Sequence, residues 1–179
     1  MTISERSSLD DVAFVVCTTL STCDITAVLT GGSAATIYAP EAYQSRDVDF
    51  IIQFGGHDER KKGVVALAEL GYNLKGQTYV HARNQFTLEF PTGPLSIGDD
   101  LVKKWSIMRR GDLALNIISA TDCVRDRLLW FYLKPTDRSS LRAAVGAAKH
   151  HNVDIDFIRE WSAREGFADK FYEFERQLR

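Results

Sequence analysis

Two acidic residues in a strand-like segment constrain this chain more than any other feature of its sequence. Asp47 and Asp49 lie two residues apart within the apolar run of residues 47–53. Because alternate side chains of a strand point to the same face, both carboxylates should share one face. Neighbouring carboxylates repel each other, so a partly buried pair needs a cation, a proton or solvent to compensate. Mg²⁺ prefers such oxygen ligands and commonly also binds substrate phosphate.

A pair of glycines precedes these carboxylates. Gly31, Gly32 and Ser33 follow the β-branched run 25–30, and thirteen residues separate Ser33 from Asp47. Glycines let backbone amides approach a phosphate closely, and the N-terminus of a following helix adds a favourable dipole. The pattern therefore predicts a phosphate-binding turn to which Ser33 adds a hydroxyl.

The rest of the chain predicts a mixed α/β core followed by a helical part. Ser119 and Asp122 have the spacing of a capping box, and from there only helical patterns remain. Asp137 can cap the next helix. We expect an α/β (α+β) core at 1–119 and a helical extension at 120–179 packed on it. The predicted helices before residue 119 are 9–22, 33–39 and 57–70, and the predicted strands are 25–30, 47–53, 85–90, 95–97 and 113–118, with a turn at Gly55-Gly56.

Aromatic residues of the helical part are expected mostly in the core. Trp130, Phe131 and Trp161 fit this interpretation better than a base-stacking role. Phe167, Phe171, Phe174 and Leu178 recur at helical spacing, so they predict either a core stripe or a protein–protein surface.

Composition narrows the class of protein but not its function. The 179 residues suit one domain, and 45% apolar with 26% charged residues is ordinary for a globular protein. A net charge of −2 argues against charge-driven binding of nucleic acid. Three cysteines without a CxxC pair favour a reduced, cytoplasmic protein. No leader segment or membrane span is expected from the sequence, because no apolar run approaches about 20 residues.

The segments 29–33 and 45–50 together resemble the signature of the DNA polymerase β-like nucleotidyltransferases. In that superfamily a strand ends in Gly-Gly-Ser or Gly-Ser, a short helix follows, and the next strand carries Asp-x-Asp. The local form is similar to small bacterial and archaeal members, including toxin-type nucleotidyltransferases of the AbiEii kind. Residues 121–128 and Asp137-Arg138 resemble the helical tail of those proteins. The resemblance implies a nucleotidyltransferase-fold mixed sheet flanked by helices.

The resemblance also implies a third carboxylate from a neighbouring strand. Glu89 is the candidate, because it is a charge between two apolar residues in a strand pattern. Its rivals are Asp99, Asp100 and Asp112, which stand near predicted turns. Family members often have Asp at this position, so Glu89 is a departure from the pattern.

Contacts to the nucleotide are implied for residues on both sides of the motif. Arg46 precedes the first carboxylate, and Arg127 and Asp137 lie in the helical part. Small toxin-type members often place a Lys and an Asp in this region, for which Arg125 or Lys134, together with Asp137, are candidates. The basic run Lys103, Lys104, Arg109 and Arg110 predicts either a phosphate or RNA contact or a solvated hairpin.

The implied function is transfer of a nucleoside monophosphate from a nucleoside triphosphate (NTP) to a hydroxyl acceptor. In this mechanism Gly32 and Ser33 hold phosphates, while Asp47, Asp49 and Glu89 bind Mg²⁺ or Mn²⁺. Glu89 assists deprotonation of the acceptor, and pyrophosphate leaves. The acceptor can be a tRNA end, a protein or a small molecule. An alternative is a non-catalytic nucleotide-binding protein or a toxin–antitoxin-like partner, and the oligomeric state stays open.

Overall fold

The computed structural model describes residues 2–53 and 57–179. In it, the first two-thirds of the chain contain all the strands of a mixed sheet. Within the described residues, seven strands form one sheet in the order β3-β4-β5-β2-β1-β9-β8, and β6 and β7 form a separate two-stranded ribbon. The strands are β1 Thr26–Leu29, β2 Asp47–Gln53, β3 Tyr72–Lys75, β4 Thr78–His81, β5 Thr87–Glu89, β6 Ser96–Ile97, β7 Asp100–Leu101, β8 Ser106–Arg110 and β9 Leu113–Ile117.

Helices cover the sheet and form the last third of the chain. The helices are α1 Leu9–Ser21, α2 Gly31–Tyr38, α3 His57–Glu69, α4 Ala120–Leu133, α5 Arg138–His150, α6 Ile155–Arg164 and α7 Ala168–Leu178. Within residues 2–53 and 57–179, none of these helices is long and apolar enough to cross a bilayer.

The centre of the sheet sets the position of the acidic residues. Strand β2 runs antiparallel to β1 and parallel to β5. The β2–β5 register pairs Asp49 with Glu89 and Val48 with Leu88. Val48, Phe50 and Leu88 are completely buried on the core side. The carboxylates therefore lie together on the opposite face, as the alternation of a strand requires.

All of the predicted helices and strands are present, although their bounds differ by up to a few residues. The predicted helix 33–39 begins earlier, at Gly31, so the glycine pair forms its first turn. Strands β3, β4, β7 and β8 were not predicted, and the predicted turn at Gly55-Gly56 lies outside the described residues. The basic run 103–110 ends in the β8–β9 hairpin, in agreement with one of its two interpretations.

The helix caps differ in one detail from the prediction. The Ser119 hydroxyl accepts from the Asp122 amide and donates to the Asp122 carboxylate. A capping box would instead bring that carboxylate to the Ser119 amide. A complete capping box is found at the start of α1, between Ser8 and Asp11.

The C-terminal helices share one hydrophobic core with the sheet. Helices α4 and α5 pack against α2, and the Tyr38 hydroxyl of α2 donates to the Ile118 carbonyl. Phe171 and Phe174 are buried, so this part of the aromatic stripe lies in the core. Trp130 differs from its predicted core position, because 44% of its surface is exposed. The division of the chain at residue 119 stays a prediction.

Arg125 ties the β6–β7 ribbon to the helical part. Its guanidinium donates to Asp100 at 2.6 Å and to Asp122 at 2.8 Å, and it is almost completely buried. The same group lies over the rings of Phe157 and Trp161. A buried cation with these partners fixes the ribbon, which explains why Arg125 is not available as a nucleotide contact.

We expect Arg125→Met to lower the free energy of unfolding by about 3 kcal/mol, because it leaves the carboxylate of Asp122 without its buried partner. Urea unfolding followed by circular dichroism measures this change. Arg159→Met is the control, since Arg159 forms exposed ion pairs with Asp156 and Glu175 and its loss should have little effect. Equal stability of Arg125→Met and the unmodified protein would contradict the structural role.

Candidate metal and phosphate site

Three carboxylates converge on the face of the sheet opposite the core. Asp47, Asp49 and Glu89 each offer one oxygen, and these oxygens lie within 4.8 Å of one another. All three residues are partly buried. Asp47 and Asp49 are alternate residues of β2, and Glu89 is paired with Asp49 across the parallel register. The cluster is thus a direct result of strand alternation and strand pairing.

The three oxygens fit a small divalent cation. Two oxygens bound to the same Mg²⁺ lie at most about 4.2 Å apart, because each metal–oxygen distance is about 2.1 Å. The oxygens of Asp47, Asp49 and Glu89 lie within 4.8 Å of one another, which is close to this limit. Carboxylate oxygens are also the ligands that hard divalent cations prefer. The arrangement therefore suits a divalent metal, and the choice among such metals stays a prediction.

The electrostatic cost of this arrangement is seen in the pKa of Asp49. The pKa of its carboxyl is raised from 3.8 to about 7, mainly by burial and in addition by the negative charges of Asp47 and Glu89. The charge of Arg127 opposes this shift. A bound cation would reverse the effect, since an opposite charge at close range favours the carboxylate form.

The N-terminus of α2 lies next to the carboxylates. Gly31 has a positive φ of 64°, and a Cβ there would lie 2.8 Å from an Oδ of Asp49. The N-cap residue Thr30 makes no side-chain cap hydrogen bond. The first amides of α2 are therefore available to an anion, and glycine is required where the chain passes the Asp49 carboxylate.

Two serines hold the acidic strand in place. The Ser33 hydroxyl donates to the Thr30 carbonyl at 2.8 Å and accepts from the Asp49 amide at 3.0 Å. Ser45 donates its hydroxyl to Asp47 Oδ1 at 2.7 Å. Ser33 thus joins the start of α2 to β2, and Ser45 orients one carboxylate.

The carboxylates lie in an open cleft of about 510 Å³. The described residues that line the cleft include five with a carboxylate but only one basic residue, Arg127. The Arg127 Nε donates to Asp126 at 2.9 Å. Asp137 also lines the cleft, and its carboxylate accepts hydrogen bonds from Ser139 and Ser140, which lower its pKa. A highly charged anion such as a triphosphate can enter this cleft only with cations.

The cleft brings together most of the site residues that the sequence predicts. Those that line it are Gly31, Gly32, Asp47, Asp49, Glu89, Arg127 and Asp137. Ser33 and Arg46 are absent from its lining: Ser33 is completely buried, and Arg46 is exposed. Lys134 lies over the Trp130 ring. The rivals to Glu89 lie elsewhere, with Asp99 and Asp112 exposed and Asp100 bound to Arg125.

Several cleft residues were missed as site residues, among them Ser45, Tyr43 and Trp130. Ser45 has a sequence signal, because it stands two residues before Asp47 and so falls on the same face of an extended segment. Tyr43 lies against Gly32, where its hydroxyl would be 3.1 Å from an added Cβ. Trp130 lies on α4 one turn after Asp126 and Arg127. The positions of Tyr43 and Trp130 in the cleft depend on how separate elements pack, and the sequence pattern does not predict that packing.

Comparison with known proteins supports the fold. No protein-family model matches the sequence, and no curated protein matches it either. The chain is similar to the crystal structure of an antigenic nucleotidyltransferase-like protein from Paracoccidioides brasiliensis, with a TM-score of 0.61 and 15% sequence identity. The likeness covers 80% of this chain and 77% of the other. It confirms the mixed α/β class and shows a nucleotidyltransferase-like fold, while the narrower toxin-type resemblance stays a prediction.

The raised pKa of Asp49 predicts a pH-dependent stability in the absence of divalent cations. Between about pH 4 and pH 7 the folded protein keeps a proton that the unfolded chain has released, so stability falls as pH rises through this window. Asp49→Asn removes this effect. We expect the variant to be more stable than the unmodified protein at pH 8 in EDTA, by at most about 4 kcal/mol, and to differ little at pH 4.

Urea unfolding at pH 4 and pH 8 in EDTA measures the difference. Asp112→Asn is the matched control, because this exposed carboxylate lies in the turn between β8 and β9 and should show no such dependence. Adding Mg²⁺ at pH 8 should stabilise the unmodified protein more than Asp49→Asn. If Asp49→Asn and the unmodified protein differed in stability by the same amount at pH 4 and pH 8, the assignment of the raised pKa to Asp49 would be contradicted.

Proposed function

We propose that this chain, which has a nucleotidyltransferase-like fold, is a Mg²⁺-dependent nucleotidyltransferase that transfers a nucleoside monophosphate from an NTP to a hydroxyl acceptor. One observation carries the proposal. Three carboxylates from β2 and β5 meet the glycine-rich start of α2 in the same cleft. A cation site next to free helix amides is suited to a metal-bound triphosphate.

Each part of the cleft has a distinct role in this proposal. The first amides of α2, at Gly31 and Gly32, donate to the phosphates. Asp47, Asp49 and Glu89 hold divalent cations, which when bound neutralise phosphate charge and stabilise the charge of the leaving group. Arg127 lies near enough to Asp49 to affect its pKa and adds a fixed positive charge to the cleft.

The reaction would be a displacement at the α-phosphorus. The acceptor oxygen forms a bond to the α-phosphorus, and the bond from that phosphorus to the bridging oxygen breaks, which releases pyrophosphate. Glu89 takes the acceptor proton in this proposal, since it is the carboxylate of the three that lines both the cleft and a neighbouring groove. Most of the rate acceleration would come from positioning and charge neutralisation.

A second, larger groove gives the acceptor a route to Glu89. It has a volume of about 1,030 Å³ and lies between α3, the β3–β4 hairpin and the end of β5. Glu89 lines both this groove and the cleft. Arg60 is the one basic residue in its described lining, and Leu67, Tyr79 and Phe90 are among the apolar ones. A polynucleotide would require more basic residues, so we propose a small, uncharged hydroxyl compound as the acceptor.

Transfer experiments with an NTP labelled at one of two phosphates test the reaction class. The protein is incubated with Mg²⁺ and an NTP labelled at either the α- or the γ-phosphate, in the presence of a small-molecule extract, total tRNA or a protein fraction. We expect the α-label to enter a product of the small-molecule fraction and the γ-label to leave as pyrophosphate. A γ-label in the product would instead indicate phosphoryl transfer and would sink the proposal.

Carboxylate variants connect the activity to the site. Asp47→Asn, Asp49→Asn and Glu89→Gln should each lower the transfer rate by at least about 100-fold, because each removes a charge that balances the cations. Asp112→Asn, at the β8–β9 turn, should retain full activity. Mg²⁺-dependent NTP binding without transfer to any fraction would favour the alternative of a non-catalytic nucleotide-binding protein.

A further inference from the structure

Trp130 is an exposed aromatic residue on the wall of the proposed nucleotide cleft. Its surface is 44% exposed, although a large apolar ring is normally buried. It lies three residues after Arg127 and four after Asp126 on α4, so the three side chains share one face of the helix. All three line the cleft that contains the carboxylates.

The indole ring has a charged neighbour. The Lys134 ammonium lies 4.9 Å from the ring centroid, in the position of a cation–π contact. Among the described residues, no other aromatic ring stacks on Trp130. Its neighbours Phe131 and Tyr132, by contrast, are buried in the core. The ring therefore contributes little to the core and offers an apolar surface to the cleft.

A nucleoside triphosphate has one part that matches this surface. Its phosphates require the cations and helix amides of the cleft, whereas its base is a planar aromatic ring without charge. Such a ring gains free energy by stacking on an indole, and the gain depends little on the identity of the base. The cleft of about 510 Å³ is large enough to contain both parts of one nucleotide.

We propose that Trp130 is the stacking platform for the nucleobase, with Lys134 fixing the ring from one side. This inference rests on the proposed nucleotide site and adds to it the residue that holds the base. Since stacking is tolerant of base identity, the protein should bind all four NTPs, and the purines should bind more tightly because their rings are larger.

Binding of nucleotides and of inorganic tripolyphosphate tests the assignment. Calorimetry is performed with ATP, GTP, CTP, UTP and tripolyphosphate in Mg²⁺. We expect Trp130→Ala to bind the four NTPs about 5- to 150-fold more weakly, the range that corresponds to loss of one stacked base. Tripolyphosphate has no base, so its affinity for Trp130→Ala should be within twofold of its affinity for the unmodified protein. Trp130→Phe should recover most of the NTP affinity.

Leu133→Ala is the matched control. Leu133 is on the same helix and 63% exposed, but it does not line the cleft. The NTP affinity of Leu133→Ala should therefore equal that of the unmodified protein. Fluorescence gives a second readout: NTP binding should quench indole emission in the unmodified protein and in Trp105→Phe, but not in Trp130→Phe, which still binds.

The other outcomes are distinguishable from one another, and all but the last overturn the inference. If Trp130→Ala binds NTPs as the unmodified protein does, the ring does not hold the base. If it loses NTPs and tripolyphosphate equally, Trp130 maintains the cleft and is not a platform. If the unmodified protein binds no NTP, both the platform and the proposed function fail. NTP binding that requires Trp130 without any transfer would leave the platform in place and reject the transferase.

Discussion

The mutual repulsion of three carboxylates is the constraint on which the rest of this structure depends. Asp49 lies opposite Glu89 in the register of two parallel strands and two residues from Asp47. Burial of Val48, Phe50 and Leu88 on the core side places all three carboxylates on the opposite face, and the observed register then brings them together. The fold thus accepts an unfavourable electrostatic energy, seen with the effect of burial in the raised pKa of Asp49, which a divalent cation bound there would offset.

The surrounding residues make that arrangement rigid. Ser33 links the first turn of α2 to the Asp49 backbone, so the helix amides and the acidic strand cannot move independently. Gly31 is needed because any side chain there would displace the Asp49 carboxylate. The serine of the signature, which the sequence predicts to bind phosphate, therefore positions its neighbours. This distinction follows from burial, since the Ser33 hydroxyl has no access to the cleft.

Local patterns in the sequence were sufficient to predict the α/β class, the strand carrying Asp47 and Asp49, and the four C-terminal helices. Glu89 was selected because a charge between apolar residues is unusual in a strand, and its pairing with Asp49 follows only from the parallel register. The hairpin of β3 and β4 was missed because Tyr72–Lys75 and Thr78–His81 are short and largely polar. Arg125 was considered for the nucleotide because its sequence position does not reveal its burial under Trp161 and Phe157.

If the cleft binds a nucleotide as proposed, the distribution of charge in it would treat the two ends of that nucleotide differently. The excess of five carboxylates over one arginine in the described lining would repel free phosphate, so the affinity for a triphosphate would depend on the cations that come with it. An uncharged base does not experience this repulsion and gains its free energy by contact with an apolar surface. If the cations fix the phosphates near β2 and an exposed ring on α4 fixes the base, the two contributions are separate in space and in their dependence on metal. The contact to the base would then persist for a nucleoside without phosphates, whereas the contact to the phosphates would disappear when the metal is removed.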